Sequence, residues 1–126
     1  MSKRIIALFG AGYVTTTVVE YLTRRPENHL IIANRTIENA LNKAKLFAHN
    51  PDQVECVAID VADPSEKNVK AMEELIAKCD VAISLVPYTY HVILAKICIA
   101  KKKHLVTTSY ISAAMRELDQ AYVIYF

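Results

Sequence analysis

Residues 6–22 read IALFGAGYVTTTVVEYL, and both glycines of this 126-residue chain, Gly10 and Gly12, stand inside that stretch. They sit two positions apart, directly behind an apolar run. Ile5 to Phe9 is short, unbroken and rich in strand formers, which reads as a buried strand. Val14 to Leu22 carries apolar residues at 14, 18, 19, 21 and 22, which reads as a helix. A strand, a glycine turn and a helix in immediate succession form the first unit of an α/β fold.

The same alternation repeats along the chain. Leu30 to Ala33 precedes a helical pattern from Thr36 to Ala48, and Val54 to Ile59 precedes one from Ser65 to Ala77. Val81 to Leu85 precedes Tyr90 to Lys101, and His104 to Thr107 precedes Ser112 to Gln120. In "DPSE", Asp63 can cap, Pro64 suits the first helical position and Glu66 can close a capping box. Thr36 and Ser112 are further caps on the same grounds. Apolar strands separated by helices imply a parallel sheet covered on both faces. The expected fold is a Rossmann-type, doubly wound parallel sheet of five or six strands in a single domain.

Composition agrees with one folded unit. The chain is 53% hydrophobic, above the usual share of about 45–50%, and a domain of this size buries about two thirds of its unfolded surface. A net charge of +2 is too mild for a nucleic-acid footprint. The basic run Lys101-Lys102-Lys103 falls where a helix should end, where cations complement the helix dipole. Cys56, Cys79 and Cys98 stand far apart inside apolar segments, without metal or redox spacing, and are expected to be reduced, buried thiols. Met1 to Arg4 lead into only five apolar residues before Gly10, too short for a signal-peptide core or a membrane span. The expectation is a soluble cytoplasmic protein, with no nucleic acid, membrane or metal among its partners.

In a doubly wound sheet the turn after the first strand faces a crevice at the carboxyl ends of the strands, where ligands bind. Gly10 allows the tight turn there. Gly12 lets the backbone approach a diphosphate, whose charge is stabilised by the free N–H groups and positive end of the next helix. Thr15 replaces the third Gly or Ala of the usual fingerprint. At the end of the second strand, "ANRT" has Asn34 in place of the acid that would bind a ribose 2′-hydroxyl, followed by Arg35. A carboxylate repels a 2′-phosphate and a guanidinium pairs with it, so NADP is favoured over NAD. Asp60 closes the third strand, either near the adenine or as the start of the turn into Asp63 and Pro64. Past the fourth strand, Tyr88, Tyr90 and His91 fall near the crevice, and His91 reads equally as a helix-start or surface residue. Past the fifth, Ser109 and Tyr110 lean toward ligand contact.

Taken together, "GAGYV", "ANRT", "ISLVPYTYH" and "KKHLVTTSYISAAMRELDQ" resemble the amino-terminal dinucleotide domain of the glutamate-forming saccharopine dehydrogenase family, from about Lys3 to Gln120. The resemblance implies NADP-dependent hydride transfer at the secondary amine of saccharopine, giving an imine that water hydrolyses to glutamate and 2-aminoadipate 6-semialdehyde, a reversible step of lysine metabolism. It further implies that Gly10, Ala11, Gly12 and Tyr13 hold the diphosphate and Asn34, Arg35 and Thr36 the adenosine ribose and its phosphate. On the same basis Asp60 and Val61 meet the adenine, Leu85, Thr107 and Thr108 line the nicotinamide half, and Ser109 and Tyr110 touch saccharopine.

The family continues past "ELDQ" into another strand, an acidic glycine-containing segment and a substrate domain, whereas this sequence ends in Ala121 to Phe126. Residues 1–120 are therefore expected to form the dinucleotide domain and 121–126 a divergent tail. The tail folds back as a sixth strand, pairs with another copy or stays exposed as an apolar segment. A dicarboxylic substrate needs basic partners in a closed cleft, so activity is expected only where the missing domain is supplied. A noncatalytic NADP-binding sensor, a partner-binding module and a truncated fragment are the competing readings. Retention of Ser109 and Tyr110 favours the enzyme over the sensor.

Overall fold

The structure, a computed structural model, describes residues 3–119. Five strands, β1 (Arg4–Phe9), β2 (Asn28–Asn34), β3 (Val54–Ala58), β4 (Val81–Ser84) and β5 (His104–Thr107), form one sheet in the order β3-β2-β1-β4-β5. Every pairing is parallel. The helices α1 (Tyr13–Leu22), α2 (Ile37–Phe47), α3 (Glu66–Lys78), α4 (His91–Ala100) and the short α5 (Ala113–Arg116) follow the strands in turn. The order reverses direction between β1 and β4, which is the switch point where such sheets open a crevice. The five strands lie within about two residues of their sequence-based bounds, and Ala121 to Phe126 lie outside the described residues.

The apolar strands are explained by the two faces they serve. Ala7, Phe9, Ile31 and Ala33 pack with Met72, Leu75 and Ile76 of α3 and Leu94 and Cys98 of α4. Their strand neighbours Ile6, Leu8, Leu30 and Ile32 point the other way, with Val19 of α1 and Ala40 of α2. Both sets are removed from water, so no polar alternation is needed along β1 or β2. The covering helices are also tied to each other. On α1, Glu20 accepts hydrogen bonds from Arg24 at 2.6–2.7 Å and meets His49 beyond α2 at 2.7 Å. The Arg24 bonds first, then His49, hold its carboxyl down at about 2.

Local departures from the sequence reading have local causes. Asp63 does not cap α3: its carboxylate accepts from Ser65 N at 2.9 Å and closes a turn one step early, leaving Ser65 at the cap position without a side-chain bond. Short acidic side chains compete for nearby backbone in this way. Thr36 stands at the cap position of α2, but its hydroxyl makes no capping bond. Ser112 does cap α5, accepting from Met115 N at 3.2 Å. That helix stops at Arg116 rather than running to Gln120, because Leu118 N bonds Met115 O at three-residue spacing and tightens the turn. Cys79 and Cys98 are buried as expected, with Cys98 pushed up to about 12 by burial and the neighbouring Cys79. Cys56 is only half-buried, since β3 is an edge strand.

The lysine run follows α4 as expected. Lys103 N bonds Cys98 O at 2.8 Å and Lys102 N bonds Ile99 O at 3.1 Å, with Lys102 at φ 58. This paired ending satisfies carbonyls the helix would otherwise leave bare.

Candidate functional site

The chain leaves β1 through a turn that only glycine suits. Gly10 has φ +116, and a Cβ built there would lie 3.2 Å from the carbonyl carbon and oxygen of Leu85. Its N–H bonds Ala33 O at 2.9 Å, while Leu85 N bonds Phe9 O at 2.8 Å, so the turn is sewn to β2 on one side and to the end of β4 on the other. Gly12 differs: a Cβ there meets nothing within 4 Å. Among the described residues, no atom requires that residue to be glycine. It also stands at the N-cap of α1, where no side chain bonds the opening N–H groups of the helix.

Thr15 is buried and donates its hydroxyl to Gly10 O at 3.2 Å. The residue that departs from the usual fingerprint thus holds the turn closed from the helix side.

A cavity of about 440 Å³ runs along the carboxyl ends of β3, β2, β1 and β4. It brings together Gly10, Ala11, Gly12, Asn34, Arg35, Asp60, Val61 and Leu85. Ile59, Ala62, Val86 and Pro87 join them, as does Tyr90, and give the floor an apolar character at both ends. Tyr13 points to the far side of the glycine turn, into a second cavity of about 330 Å³ between α1 and α2. There Lys43 of α2 stands 5.7 Å from the Tyr13 ring centroid and donates to Thr16 at 2.8 Å. Thr36, Thr107, Thr108, Ser109 and Tyr110 line neither cavity. Thr36 and Thr108 are exposed, and Tyr110 is fully so.

Around the cavity, charge is sparse. Arg35 is exposed at the rim and has no hydrogen bond or ion pair among the described residues. Asn34 is turned inward to the local backbone, donating to Thr36 O at 2.8 Å. Asp60 combines the two roles left open by the sequence: it lines the cavity and its carboxylate accepts from Ala62 N at 3.0 Å, starting the turn toward Asp63.

That turn is held by a residue the sequence did not single out. Asn68 of α3 donates to Asp60 O at 2.6 Å and to Asp63 O at 2.9 Å, and accepts from Asp60 N at 3.2 Å. Asn68→Ala is expected to cost about 1–3 kcal/mol, because three half-buried backbone groups lose their partner. Urea denaturation checks this, and a loss under about 0.5 kcal/mol would show that water replaces the amide without penalty.

His91, the first residue of α4, is buried rather than exposed at the helix start. Its Nδ1 lies 2.7 Å from Ser84 Oγ and its Nε2 lies 3.0 Å from Ser109 Oγ. Burial pushes its pKa below 6.5. Thr107 donates to Ser109 O at 3.3 Å, so the segment after β5 is fastened at two points. No sequence spacing announces this group, because its members come from β4, α4 and the end of β5.

Known proteins are similar to this chain over most of its length. It is 40% identical over 116 residues to a saccharopine dehydrogenase (NADP(+), L-glutamate-forming) of Schizosaccharomyces pombe, covering 92% of this chain and 24% of that protein. It is 32% identical over 120 residues to the mitochondrial alpha-aminoadipic semialdehyde synthase of Bos taurus, covering 95% of this chain and 12% of that protein. Its fold superposes on apo saccharopine dehydrogenase (L-Glu forming) from Saccharomyces cerevisiae with a TM-score of 0.81 at 35% identity, covering 94% of this chain and 24% of that one. The chain thus spans a quarter or less of the length of these relatives. The family described as Saccharopine dehydrogenase NADP binding domain matches residues 6–123, and the chain belongs to that family.

Proposed function

We propose that this chain is the NADP-holding part of a saccharopine dehydrogenase, an oxidoreductase acting on a CH–NH donor in lysine metabolism. The observation that carries the reading is the cavity itself. Gly12, with open space where a side chain would stand, the uncapped start of α1 and the Arg35 guanidinium, unpaired among the described residues, line one crevice at the switch point of the sheet, which supports a dinucleotide there. In this reading Gly10 to Tyr13 support the diphosphate and Arg35, with Asn34 and Thr36 beside it, takes the 2′-phosphate. Asp60 and Val61 border the adenine. Leu85, Thr107 and Thr108 flank the nicotinamide half, and Ser109 and Tyr110 face saccharopine. Bound NADP supplies the hydride acceptor, and the protein supplies position and polarity.

Oxidation of the secondary amine leaves an imine, which water splits into glutamate and 2-aminoadipate 6-semialdehyde. The dicarboxylic substrate requires basic groups opposite the crevice. We assign those to a substrate domain beyond the dinucleotide unit of residues 1–120, so turnover is expected only when that domain is supplied. Three free thiols agree with a reducing, cytoplasmic setting. Among the described residues no helix is long and apolar enough to cross a membrane.

Calorimetric titration with NADPH and NADH tests the cofactor assignment. NADPH is expected to bind more tightly, and Arg35→Ala to weaken it roughly 10- to 100-fold while leaving NADH unchanged, the range of a charge-assisted phosphate contact. Equal affinity for the two nucleotides, or an equal loss for both in the variant, would remove Arg35 from the 2′-phosphate site.

A further inference from the structure

We propose that His91 is a positioning residue: with Ser84 donating to Nδ1, its Nε2–H donates to Ser109, and the Ser109 hydroxyl is thereby left free to donate to a substrate carboxylate. The carboxylate half rests on the function proposed above; the direction of the hydrogen bonds rests on the fold alone.

The argument starts at Ser84, which is fully buried in β4 between Phe9 of β1 and Thr107 of β5. A hydroxyl has one proton to give, and leaving it unpaired in the core costs more than leaving a lone pair unused. Among the described residues the acceptor within reach is His91 Nδ1, at 2.7 Å. Nδ1 therefore carries no proton, and in a neutral imidazole the proton then resides on Nε2. The reverse tautomer would turn Nδ1–H toward Ser84 and strand the serine proton. Burial keeps the ring neutral, in agreement with its lowered pKa.

With Nε2–H donating across 3.0 Å, the oxygen of Ser109 is an acceptor and its own proton is uncommitted among the described residues. Thr107 fixes the main chain of the same residue through its carbonyl at 3.3 Å. The result is a hydroxyl set as a donor at the carboxyl edge of β5, beside the exposed Tyr110. Ser84 ends in the core, so the chain of three groups leads no proton to solvent. His91 accordingly acts through Ser109 and is not an acid or base in the reaction.

The test uses this chain labelled uniformly with 15N. Long-range proton–nitrogen correlation is expected to show His91 as a single Nε2–H tautomer between about pH 6 and 8, the range in which an ordinary histidine titrates. Ser84→Ala is expected to convert it to a mixture. An Nδ1–H tautomer or a mixture in the unmodified chain overturns the proposal, and that readout needs no variant to fold. Saccharopine added in large excess to the chain saturated with NADP is expected to bind weakly, without the basic groups of the substrate domain, and still to shift the Ser109 and Tyr110 amides through the single Ser109 contact. His91→Leu should weaken that response roughly tenfold, as for one hydrogen bond to a charged group, while His91→Gln, which keeps an N–H donor, retains it. No shift in the unmodified chain overturns the carboxylate half. NADPH titration of the same samples separates the two readings. A chain that keeps the tautomer but binds no NADPH loses the proposed function and keeps the set direction of Ser109. A chain that binds NADPH with Nδ1–H loses only the role of His91.

Discussion

Gly12→Ala is expected to fold normally and to bind NADPH roughly a hundredfold more weakly. The backbone at Gly12, φ −83 and ψ −165, is open to any residue, and among the described residues a methyl there meets no atom within 4 Å. Alanine is a poorer first cap than glycine, but the stability cost stays below about 1 kcal/mol. The loss falls on the ligand, since a Cβ occupies the approach through which phosphate oxygens reach the N–H groups of α1. Losing one charge-assisted contact and the close approach together amounts to about 2.7 kcal/mol, which is the hundredfold. Calorimetry beside an unchanged urea midpoint gives the check. Undiminished affinity would mean that the diphosphate does not pass over Gly12.

Gly10→Ala should show the opposite pattern, a loss of about 2–4 kcal/mol in stability. A positive φ of +116 strains an L-residue by about 1–3 kcal/mol. The new Cβ would also press at 3.2 Å on the Leu85 carbonyl, which cannot swing away cheaply because Leu85 N is bonded to Phe9 O at 2.8 Å. On a domain whose total stability is about 5–15 kcal/mol, this is a large fraction. A lower urea midpoint at unchanged slope would record it, and a shift worth less than about 0.5 kcal/mol would mean that the turn relaxes at no cost. The two glycines of the chain are therefore separable by experiment, one serving the fold and one serving the ligand.

Much of the fold was legible because burial on both sheet faces leaves an unambiguous mark: Ile5 to Phe9 and Leu30 to Ala33 are apolar at every position, as a doubly covered strand must be. The helix starts were less legible. Asp63, Thr36 and Ser112 look alike as caps, yet only Ser112 makes a capping bond, since Asp63 finds a nearer N–H at Ser65 and the Thr36 hydroxyl is left without one. Propensity identifies residues able to cap; which one does so depends on where the preceding loop is pinned, and here Asn68 pins it.

In the site, the sequence alone determined the glycine turn and the basic end of β2, because a positive φ and a bare backbone are demands on residue type that glycine meets and a side chain betrays. It likewise determined that strands and helices alternate, and so that the turn opens on a crevice. Only the tertiary structure decided that Thr15 closes the turn rather than spoiling it, that Asn68 holds the loop above Asp60, and that His91 joins Ser84 to Ser109. Each of these depends on a hydrogen bond between groups five to eighteen residues apart. The chain's local preferences leave such distances free. They are set when hydrophobic burial on the two faces of the sheet fixes strand register and helix position, and the polar partners are then the ones that happen to stand within 3 Å or so of each other.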